Sequence, residues 1–433
     1  MDLTGRQGRF HFPSPPCRQI NNQCKISPFR FSKHRRKSMP HQSHCINRRS
    51  FLQTGLGLAA GAPFLLSPTS PFAQAQDTIV SRPISAELLS NAKVAMARCK
   101  TYGREVEASL KQCFDLLGGV GSLVKNKTVT VKVNFTGRPY KHLFDKPPGE
   151  TYLTHGDTVI ALSSLLLAEG AKRVRIVECA YYTEPMPEIM DMVGWDVKTL
   201  LAIKNVEIEN TRNLGLSKTY TELKVPTPGF LFSSFTVNRS YEDTDVFVSL
   251  NKLKEHATAG ITLAMKNVFG ITPCTLYGAD AGTEDAIGAR MTMHGRNRRG
   301  EKITFPGLVG DMNQESGVVV PRTIVDLCAA RPIHLSIVDG ITSMRGGEGF
   351  WNSDLHPTAP GLLIAGFNPV STDAVGAAVM GYDNPRAERG TALFESCENH
   401  LLLAEQAGLG TAELSQIDVR GLSIEEARYP YRS

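Results

Sequence analysis

Short β-rich runs alternate with helical patterns from Lys127 onward, and this alternation limits the possible folds more than any other feature of the sequence. The runs Val129–Phe135 and Arg173–Cys179 are rich in β-branched residues, and a helical pattern over Asp157–Ala168 separates them. A strand, a helix and a second strand within about 50 residues form a βαβ unit. The sequence therefore predicts an α/β fold, with a mostly parallel sheet and helices on both faces.

The same alternation continues to the C-terminus, so we expect the α/β domain to span residues 127–433. Further strands are predicted at Val206–Glu209, Asp245–Leu250, His334–Val338 and Leu362–Gly366. Further helices are predicted near Ala257–Phe269, Arg322–Ala330, Val370–Met380 and Arg386–Ala407. Residues 76–126 are predicted to form a linker and an amphipathic helix around Ala86–Leu117. The stretch 273–306 is rich in Gly, Arg and Asp and indicates an insertion or lid.

Residues 1–75 have the features of a removable export signal with a basic leader. The pair Arg48-Arg49 is followed by a weakly apolar run, Phe51–Leu66, and then by the small residues Ala73-Gln74-Ala75. This order is typical of a signal peptide, and the arginine pair before Phe-Leu resembles the twin-arginine type. We therefore expect the twin-arginine translocase as a partner and the periplasm as the location. Translation could start at Met1 or at Met39.

The apolar run of this leader is too short to make a stable membrane anchor. It has about 16 residues and several glycines, whereas spanning a bilayer takes about 20 apolar residues. The leader also explains the net charge of +6, because residues 1–75 hold eleven Lys and Arg and one acid, which leaves −4 for the rest. A mildly acidic body lacks the basic footprint that nucleic-acid binding requires.

Six of the nine cysteines follow the leader, and they lie far apart in the sequence. No Cys-x-x-Cys occurs anywhere in the chain. We therefore expect neither an iron–sulfur cluster nor a structural zinc site, and we interpret the cysteines as buried apolar thiols.

Polar residues follow the predicted strands, where an open parallel sheet binds its ligands. They are Lys132 and Asn134, Glu178, the run Asn251–His256, Asp339, and Asn368 with Asp373. A solvated strand end or a helix cap would explain any one of them alone. Their recurrence after five strands predicts a common ligand site at the carboxyl edge of the sheet.

The segment Val248–Gly270 is the richest in candidate side chains. Lys252, Lys254 and His256 alternate at period two and would share one face if the strand continues. Lys266 is either a helix-end lysine that reaches water or a cleft lysine beside Lys254, whose lowered pKa would suit a base, a nucleophile or an anion clamp. We assign catalytic roles to Lys254, His256 and Lys266, and ligand-binding roles to Lys132, Asn134, Asn251, Lys252 and Asn267.

Carboxylates at the strand ends could hold a divalent cation. Glu178, Asp339 and Asp373 follow different strands and would suit Mg²⁺ or Ca²⁺ if they converge. No His-x-x-x-His spacing demands a metal, and Asp373 could instead stabilise the first turn of its helix. A basic patch is interpreted either as an attraction for an anionic substrate or as a solvated loop; it consists of Arg290, His294, Arg296, Arg298 and Arg299.

Several stretches resemble the family known as domain of unknown function 362. They are Val131–Asn134, Asn251–His256, Gly260–Gly270, Ile337–Ile341 and Asn368–Gly376, and the resemblance spans roughly Lys127 to Tyr382. The stretch from Lys254 to Gly270 is the most specific. Some relatives carry an added ferredoxin-like cluster domain, whose cysteines this chain lacks. The resemblance supports the domain and its candidate residues, and it supplies no reaction.

Three functions remain open from the sequence. The first is an enzyme that acts on a small anionic substrate: the lysines neutralise the anion, His256 moves protons, and Asp339 and Asp373 hold a cation or orient Lys266. The second is a periplasmic ligand-binding or sensing protein with the same charges and no general base. The third is an assembly or maturation factor without catalysis, in which the strand-end residues point apart.

Overall fold

A computed structural model describes residues 86–226, 229–295 and 303–432. Its strands are β1 Lys93–Arg98, β2 Thr128–Lys132, β3 Arg173–Glu178, β4 Val206–Asn210, β5 Tyr220–Lys224, β6 Ser234–Asn238, β7 Val246–Lys252, β8 Glu255–His256, β9 Gly260–Ile261, β10 Leu335–Gly340, β11 Ser343–Arg345, β12 His356–Thr358, β13 Leu362–Gly366 and β14 Asp418–Gly421. Its α-helices are α1 Ala86–Ser90, α2 Arg104–Leu117, α3 Gly121–Val124, α4 Gly156–Ala168, α5 Met186–Met192, α6 Val197–Ala202, α7 Leu263–Asn267, α8 Cys274–Tyr277, α9 Ser316–Ala330, α10 Pro369–Val379, α11 His400–Gln406 and α12 Ile424–Ala427.

Eight strands form the central sheet in the order β14-β1-β13-β10-β7-β2-β3-β4. Every neighbouring pair is parallel except the two pairs that include β13, which runs antiparallel to both β1 and β10. The chain returns from β10 to β13 through the short β11–β12 pair and without a helix. A parallel return would need a longer crossover, usually helical, so this connection makes β13 antiparallel.

Helices cover both faces of the sheet, and two apolar cores separate the layers. One core contains Leu110 of α2 and Leu162 of α4 against the inward side chains of one face. The other core contains Met265 of α7, Ile324 of α9 and Val375 of α10 against the opposite face. The prediction of a mostly parallel α/β sheet with helices on both faces is confirmed.

The predicted helix over residues 86–117 is wrong in its first half. Lys93–Arg98 is β1, a strand inside the sheet, and the helix α2 begins only at Arg104. Both faces of β1 are buried, so its sequence KVAMAR lacks the alternation that marks a half-buried strand, and its Ala and Met residues favour a helix by propensity. A segment predicted to be helical and to precede the α/β domain therefore supplies a strand to its sheet.

Two predicted helices are also shorter than expected. The segment predicted as a helix from Ala257 forms the β8–β9 hairpin first, and α7 begins at Leu263 and continues as a 3-10 turn over Val268–Ile271. The helix predicted over Arg386–Ala407 occurs only at α11. The predicted export signal lies outside the described residues. Within the described ranges, no helix has the length and apolar character needed to cross a bilayer.

The strand assignment of β1 predicts a large difference between two substitutions a few residues apart. Met96→Ala removes a fully buried side chain and should lower the free energy of unfolding by about 2–5 kcal/mol. Leu89→Ala, at a side chain 39% exposed, should change it by less than about 0.5 kcal/mol. Urea denaturation followed by circular dichroism measures both values. Equal, small effects would contradict the place of β1 inside the sheet.

Candidate functional site

The polar ends of β2, β3, β7 and β10 lie side by side at the carboxyl edge of the sheet. Lys132 is paired in register with Ser249, and Lys252 with Asp339. Paired residues of parallel strands point to the same face and successive residues to opposite faces, so the strand-end residues divide between the two faces. The sequence placed them in one group, and the structure divides them into two networks.

The first network is closed around Lys252 and Asp339. Their side chains are fully buried and form an ion pair with a distance of 3.0 Å from Nζ to Oδ2. Thr158 donates to the same carboxylate at 3.0 Å, and Lys252 also donates to the carbonyl of Thr342 at 2.9 Å and to the hydroxyl of Tyr102. Burial lowers the pKa of Lys252, and Asp339 opposes this shift. Because these groups satisfy one another, we assign this network a structural role.

The second network begins with an ion pair between Lys132 and Glu178, at 2.7 Å from Nζ to Oε1. Glu178 also accepts hydrogen bonds from the backbone N–H groups of Phe135 and Cys179, both at 2.7 Å. Burial lowers the pKa of Lys132, against the charge of Glu178. A Cβ atom at Gly270 would lie 2.7 Å from the Lys132 Nζ and 3.2 Å from the Glu178 Oε1, so a larger residue there would displace the Lys132 amine.

Asn267 connects the end of α7 to the strand ends. Its amide nitrogen donates to the carbonyls of Lys132 and Leu250 and to the hydroxyl of Ser249, at 3.0–3.3 Å. Its amide oxygen accepts from Asn134 at 3.1 Å. With every polar atom of its amide in use, Asn267 positions the helix end that carries Lys266 rather than reserving a group for a ligand.

A cavity of about 630 Å³ opens beside this second network. Its polar lining includes Lys132, Asn134, Arg138, Glu178, His256, Lys266, Asn267, Arg290, His294 and Glu348. Its aromatic lining includes Phe135, Tyr181, Phe269 and Trp351. The volume suits a small organic molecule, and the lining combines apolar walls with a few polar groups, as small-molecule sites usually do.

Of the ionisable side chains that line this cavity, Lys266 has the fewest interactions that would stabilise its charged form. Its side chain is 9% exposed, and its Nζ lies 4.1 Å from the centre of the Phe269 ring. No carboxylate of the described residues lies within the 4 Å of an ion pair with it. Burial lowers the pKa of Lys266 to about 7; Glu348 opposes this shift, and Arg290 and Lys132 add to it. The amine is therefore partly neutral near pH 7.

His256 and Glu348 lie next to each other in the wall of the cavity. His256 Nδ1 lies 3.9 Å from a carboxylate oxygen of Glu348 and accepts the N–H of Thr258 at 3.1 Å, which leaves the proton of a neutral ring on Nε2. Burial lowers the pKa of His256 to about 3. Burial alone would raise the pKa of Glu348, but His256 and the N–H donors of Ala257 and Trp351 lower it to about 2. His256 is thus a hydrogen-bond donor rather than a base at neutral pH.

Lys254, predicted to be catalytic, lies behind the cavity wall and is not part of its lining. Its fully buried amine donates to the carbonyl of Tyr152, to the carbonyl of Glu348 at 3.2 Å and to Asn134 Oδ1 at 3.4 Å. Burial lowers its pKa to about 7. We conclude that Lys254 holds three loops together, and that the expected shared face of Lys252, Lys254 and His256 does not form.

Glu178, Asp339 and Asp373 do not converge on a cation. Glu178 and Asp339 belong to the two networks above, and Asp373 accepts the N–H groups of Ala264 and Met265 at 2.8 Å each. Because β13 is antiparallel, its carboxyl end with Asn368 lies at the opposite edge of the sheet, and Asn368 caps α10. No group of three or more His, Cys, Asp or Glu side chains in the described ranges could hold a metal ion. Asp373 instead orients α7, and through it Lys266.

Asn251 also lies apart from the cavity lining. Its side chain is fully buried, and both polar atoms of its amide lack a hydrogen-bond partner in the described structure. The structure thus gives no support to its predicted role in ligand binding.

Several cavity residues had little or no sequence signal. Arg290 and His294 were interpreted as part of a basic patch, and both line the cavity, Arg290 buried and His294 half-buried; Arg296, Arg298 and Arg299 lie outside the described residues. Glu348 and Trp351 come from the connection between β10 and β13. The glycines Gly346, Gly347 and Gly349 are the sequence signal that could have drawn attention to this connection. Of the stretch 273–306, residues between Ile287 and His294 line the cavity, and its action as an insertion or lid stays a prediction.

The structure defines an α/β protein with a cavity of charged, polar and aromatic side chains at the carboxyl ends of the strands of a mostly parallel sheet. The chain belongs to the DUF362 family, a domain of unknown function whose sequence profile matches residues 129–378. That range contains the second network and every lining residue of the cavity, from Lys132 to Asn352, and of the first network only Tyr102 lies outside it.

A curated relative and two solved structures were compared with the chain. Thylakoid-associated protein sll1697 of Synechocystis sp. is 24% identical over 298 residues, which cover 67% of this chain and 75% of the relative. The lactate racemase apoprotein of Thermoanaerobacterium thermosaccharolyticum and a Thermotoga maritima protein each give a TM-score of 0.32, at 11% and 15% identity. Each match covers 62% of this chain. The matched part is 54% of the lactate racemase apoprotein and 57% of the Thermotoga maritima protein. These scores are too low to support an argument about function.

The two buried lysines with a pKa near 7 should respond oppositely to Lys→Met substitution. Lys254→Met leaves three oxygen atoms without their donor and should lower the free energy of unfolding by about 1–3 kcal/mol. Lys266→Met removes a buried amine that has no ion-pair partner and should leave that free energy unchanged or raise it. Urea denaturation at pH 7 measures both. If Lys266→Met is the more damaging variant, the division into structural and site lysines is wrong.

Proposed function

We propose that this protein is an enzyme that binds a small anionic substrate in the cavity and uses the amine of Lys266 to move a proton. The observation that carries the proposal is the position of Lys266: it lines the cavity and is buried there without an ion-pair partner in the described part of the chain. A structural lysine gains little from such a position, because burial without compensation disfavours its charged form. An amine that transfers protons near neutral pH benefits from this burial, because burial brings its pKa toward that pH.

The charges of the cavity support an anionic substrate. Glu178 is neutralised by Lys132, and Glu348 is held by two N–H donors. Glu348 keeps its negative charge, but Arg138, Arg290 and protonated Lys266 outnumber it and leave an excess of positive charge in the lining. In a site with aromatic walls and little water, this charge attracts a carboxylate or phosphate more strongly than it would at the surface.

The proposed proton chemistry uses two side chains of the cavity lining, Lys266 and His256. The neutral amine of Lys266 accepts a proton from a substrate carbon or heteroatom, and its conjugate acid returns a proton later. The Nε2–H of neutral His256 donates a hydrogen bond to the charge that develops on the substrate. Asn267 and Asp373 support these steps by fixing the two ends of α7.

A ligand-binding or sensing protein without catalysis is the alternative that the same cavity supports. It needs the positive charge of Arg290 and Lys266 and makes no use of a neutral amine. The assembly-factor alternative expects the strand-end residues to point apart. The grouping of Lys132, Asn134 and Lys266 around one cavity favours a ligand site over it.

The titration of Lys266 provides the first test. Only the neutral amine reacts with trace acetic anhydride, so labelling of Lys266 should rise with pH and be half-complete near pH 7. Lys111, exposed beside Asp115 and with its pKa raised by that carboxylate, should still gain reactivity above pH 10. Mass spectrometry of the labelled peptides gives both profiles. Parallel profiles for the two lysines would remove the basis of the proposal.

Solvent exchange then distinguishes catalysis from binding. The protein is incubated in deuterated water with a panel of hydroxy acids, keto acids, amino acids and phosphate monoesters. An enzyme that abstracts a proton should introduce deuterium into at least one member, and Lys266→Met should abolish this exchange. Binding seen as NMR line broadening, without exchange in the native protein, would support the sensing alternative. Exchange that survives Lys266→Met would assign the base to another residue.

We further propose that the twin-arginine translocase exports this protein to the periplasm. The support is the leader Arg48–Ala75 with its arginine pair, apolar run and cleavage site. The Synechocystis relative is described as thylakoid-associated, so a membrane-bound pool would indicate a similar location for this chain.

Replacement of both Arg48 and Arg49 by Lys should block export, because the translocase recognises the two arginine side chains and not only their positive charge. We expect an uncleaved chain in the cytoplasm instead of a shorter chain in the periplasm, as measured by cell fractionation and immunoblotting. The same replacement at Arg35 and Arg36, a second pair in the basic leader, is the matched control and should leave export intact. Equal export of both variants would refute the proposed signal.

A further inference from the structure

Two thiols that the proposed proton chemistry does not use meet in the wall of the cavity. Cys179 directly follows the last residue of β3, and Cys274 is the first residue of α8. Their sulfur atoms lie 3.4 Å apart, and both are free and buried. A disulfide bond is about 2.05 Å long, so a movement of about 1.4 Å would join them. The sequence interpretation of inert apolar thiols does not anticipate such a pair.

Arg290 distinguishes this pair from the other buried cysteines. Its Nη1 lies 3.0 Å from the sulfur of Cys179 and 3.8 Å from that of Cys274. The carbonyl of Thr272 accepts from the same nitrogen at 3.1 Å, and the ring of Tyr181 lies 5.1 Å from the guanidinium carbon. A fixed guanidinium beside a thiol favours the thiolate, which is the reactive form.

The two thiols have different protonation. Burial alone would raise the pKa of Cys179, but the hydrogen bond from Cys274 and the charge of Arg290 lower it to about 6. The same hydrogen bond and burial raise the pKa of Cys274. Cys179 is therefore the thiolate near pH 7, and Cys274 holds the shared proton.

Access to the pair is from the cavity side and through one thiol. Cys179 belongs to the cavity lining, whereas Cys274 does not and lies behind it. Their residues are 1% and 0% exposed, so a protein disulfide cannot reach either sulfur from the surface. A small neutral oxidant that enters the cavity meets Cys179 first, with Cys274 placed to react next.

We propose that Cys179 and Cys274 form a redox-active pair that reduces small hydroperoxides and ends as an internal disulfide. The Cys179 thiolate attacks the terminal peroxide oxygen, the O–O bond breaks, and the alkoxide or hydroxide that leaves takes a proton from water. The hydroxide formed from that water is neutralised by the proton that Cys179 released when it ionised. The Cys274 sulfur then attacks the sulfur of the resulting sulfenic acid, the S–O bond breaks, and hydroxide leaves with the Cys274 proton as water. Two thiols lose two electrons, and one hydroperoxide becomes one alcohol, or water, plus one water.

The experiment treats the fully reduced, full-length protein with one equivalent of hydrogen peroxide and then alkylates the remaining thiols. Mass spectrometry of peptides should show a Cys179–Cys274 disulfide, with the other described cysteines alkylated. This measurement needs no variant, so it remains decisive if a substitution prevents folding. Absence of this disulfide, or oxidation that stops at Cys179 sulfinic acid, would overturn the proposal.

Variants test the order of the two steps. Cys179→Ala should slow peroxide consumption by on the order of tenfold or more, because the remaining buried thiols are protonated. Cys274→Ala should leave a sulfenic acid at Cys179 that dimedone traps. Cys397→Ala, at another buried thiol whose pKa burial raises to about 12, is the matched control and should react as the native protein does. Equal rates for Cys179→Ala and Cys397→Ala would also overturn the proposal.

Discussion

Burial of positive charge at the carboxyl edge of the sheet is the constraint on which the rest of the structure depends. Four lysines are almost completely removed from water there, and each would be costly without compensation. The structure compensates three of them in different ways: Lys132 by Glu178, Lys252 by Asp339, and Lys254 by backbone carbonyls and Asn134. Lys266 has no such carboxylate or carbonyl partner among the described residues, and it lines the cavity. The functional proposal rests on this difference among otherwise similar residues.

The antiparallel direction of β13 determines which polar residues lie at each end of the strands. If β13 were parallel, Asn368 and Asp373 would join the other strand-end residues, and a cation site would be reasonable. Its antiparallel course places the start of α10 at the opposite edge, where Asn368 caps the helix. Asp373 then reaches the first turn of α7 and fixes the backbone that carries Lys266. A residue expected to bind metal thus positions the amine of the site.

Much of the fold could be predicted from the sequence, because alternating strand and helix patterns are local signals. The βαβ unit, six strands of the central sheet (β2, β3, β4, β7, β10 and β13) and the covering of both faces follow from such patterns. The strand β1 was missed because, unlike the equally buried β7, it has a single β-branched residue, and its Ala and Met residues favour a helix. The short strand β14 was missed as well. For the site, Lys132, Asn134 and Lys266 were found from their places after strands or in an apolar helix. Arg290 and Cys179 were not placed in it, because only tertiary contacts bring them there.

The sequence by itself determined the class of fold, the family, and the set of lysines and amides from which a site could be built. These properties depend on residue type, short-range periodicity and order along the chain. Only the tertiary structure decided which lysine is paired, which carboxylates stay apart and which thiols meet. Strand order, strand direction and the exclusion of water set the distances and desolvation of groups far apart in sequence, and those distances and that desolvation control ionisation and reactivity.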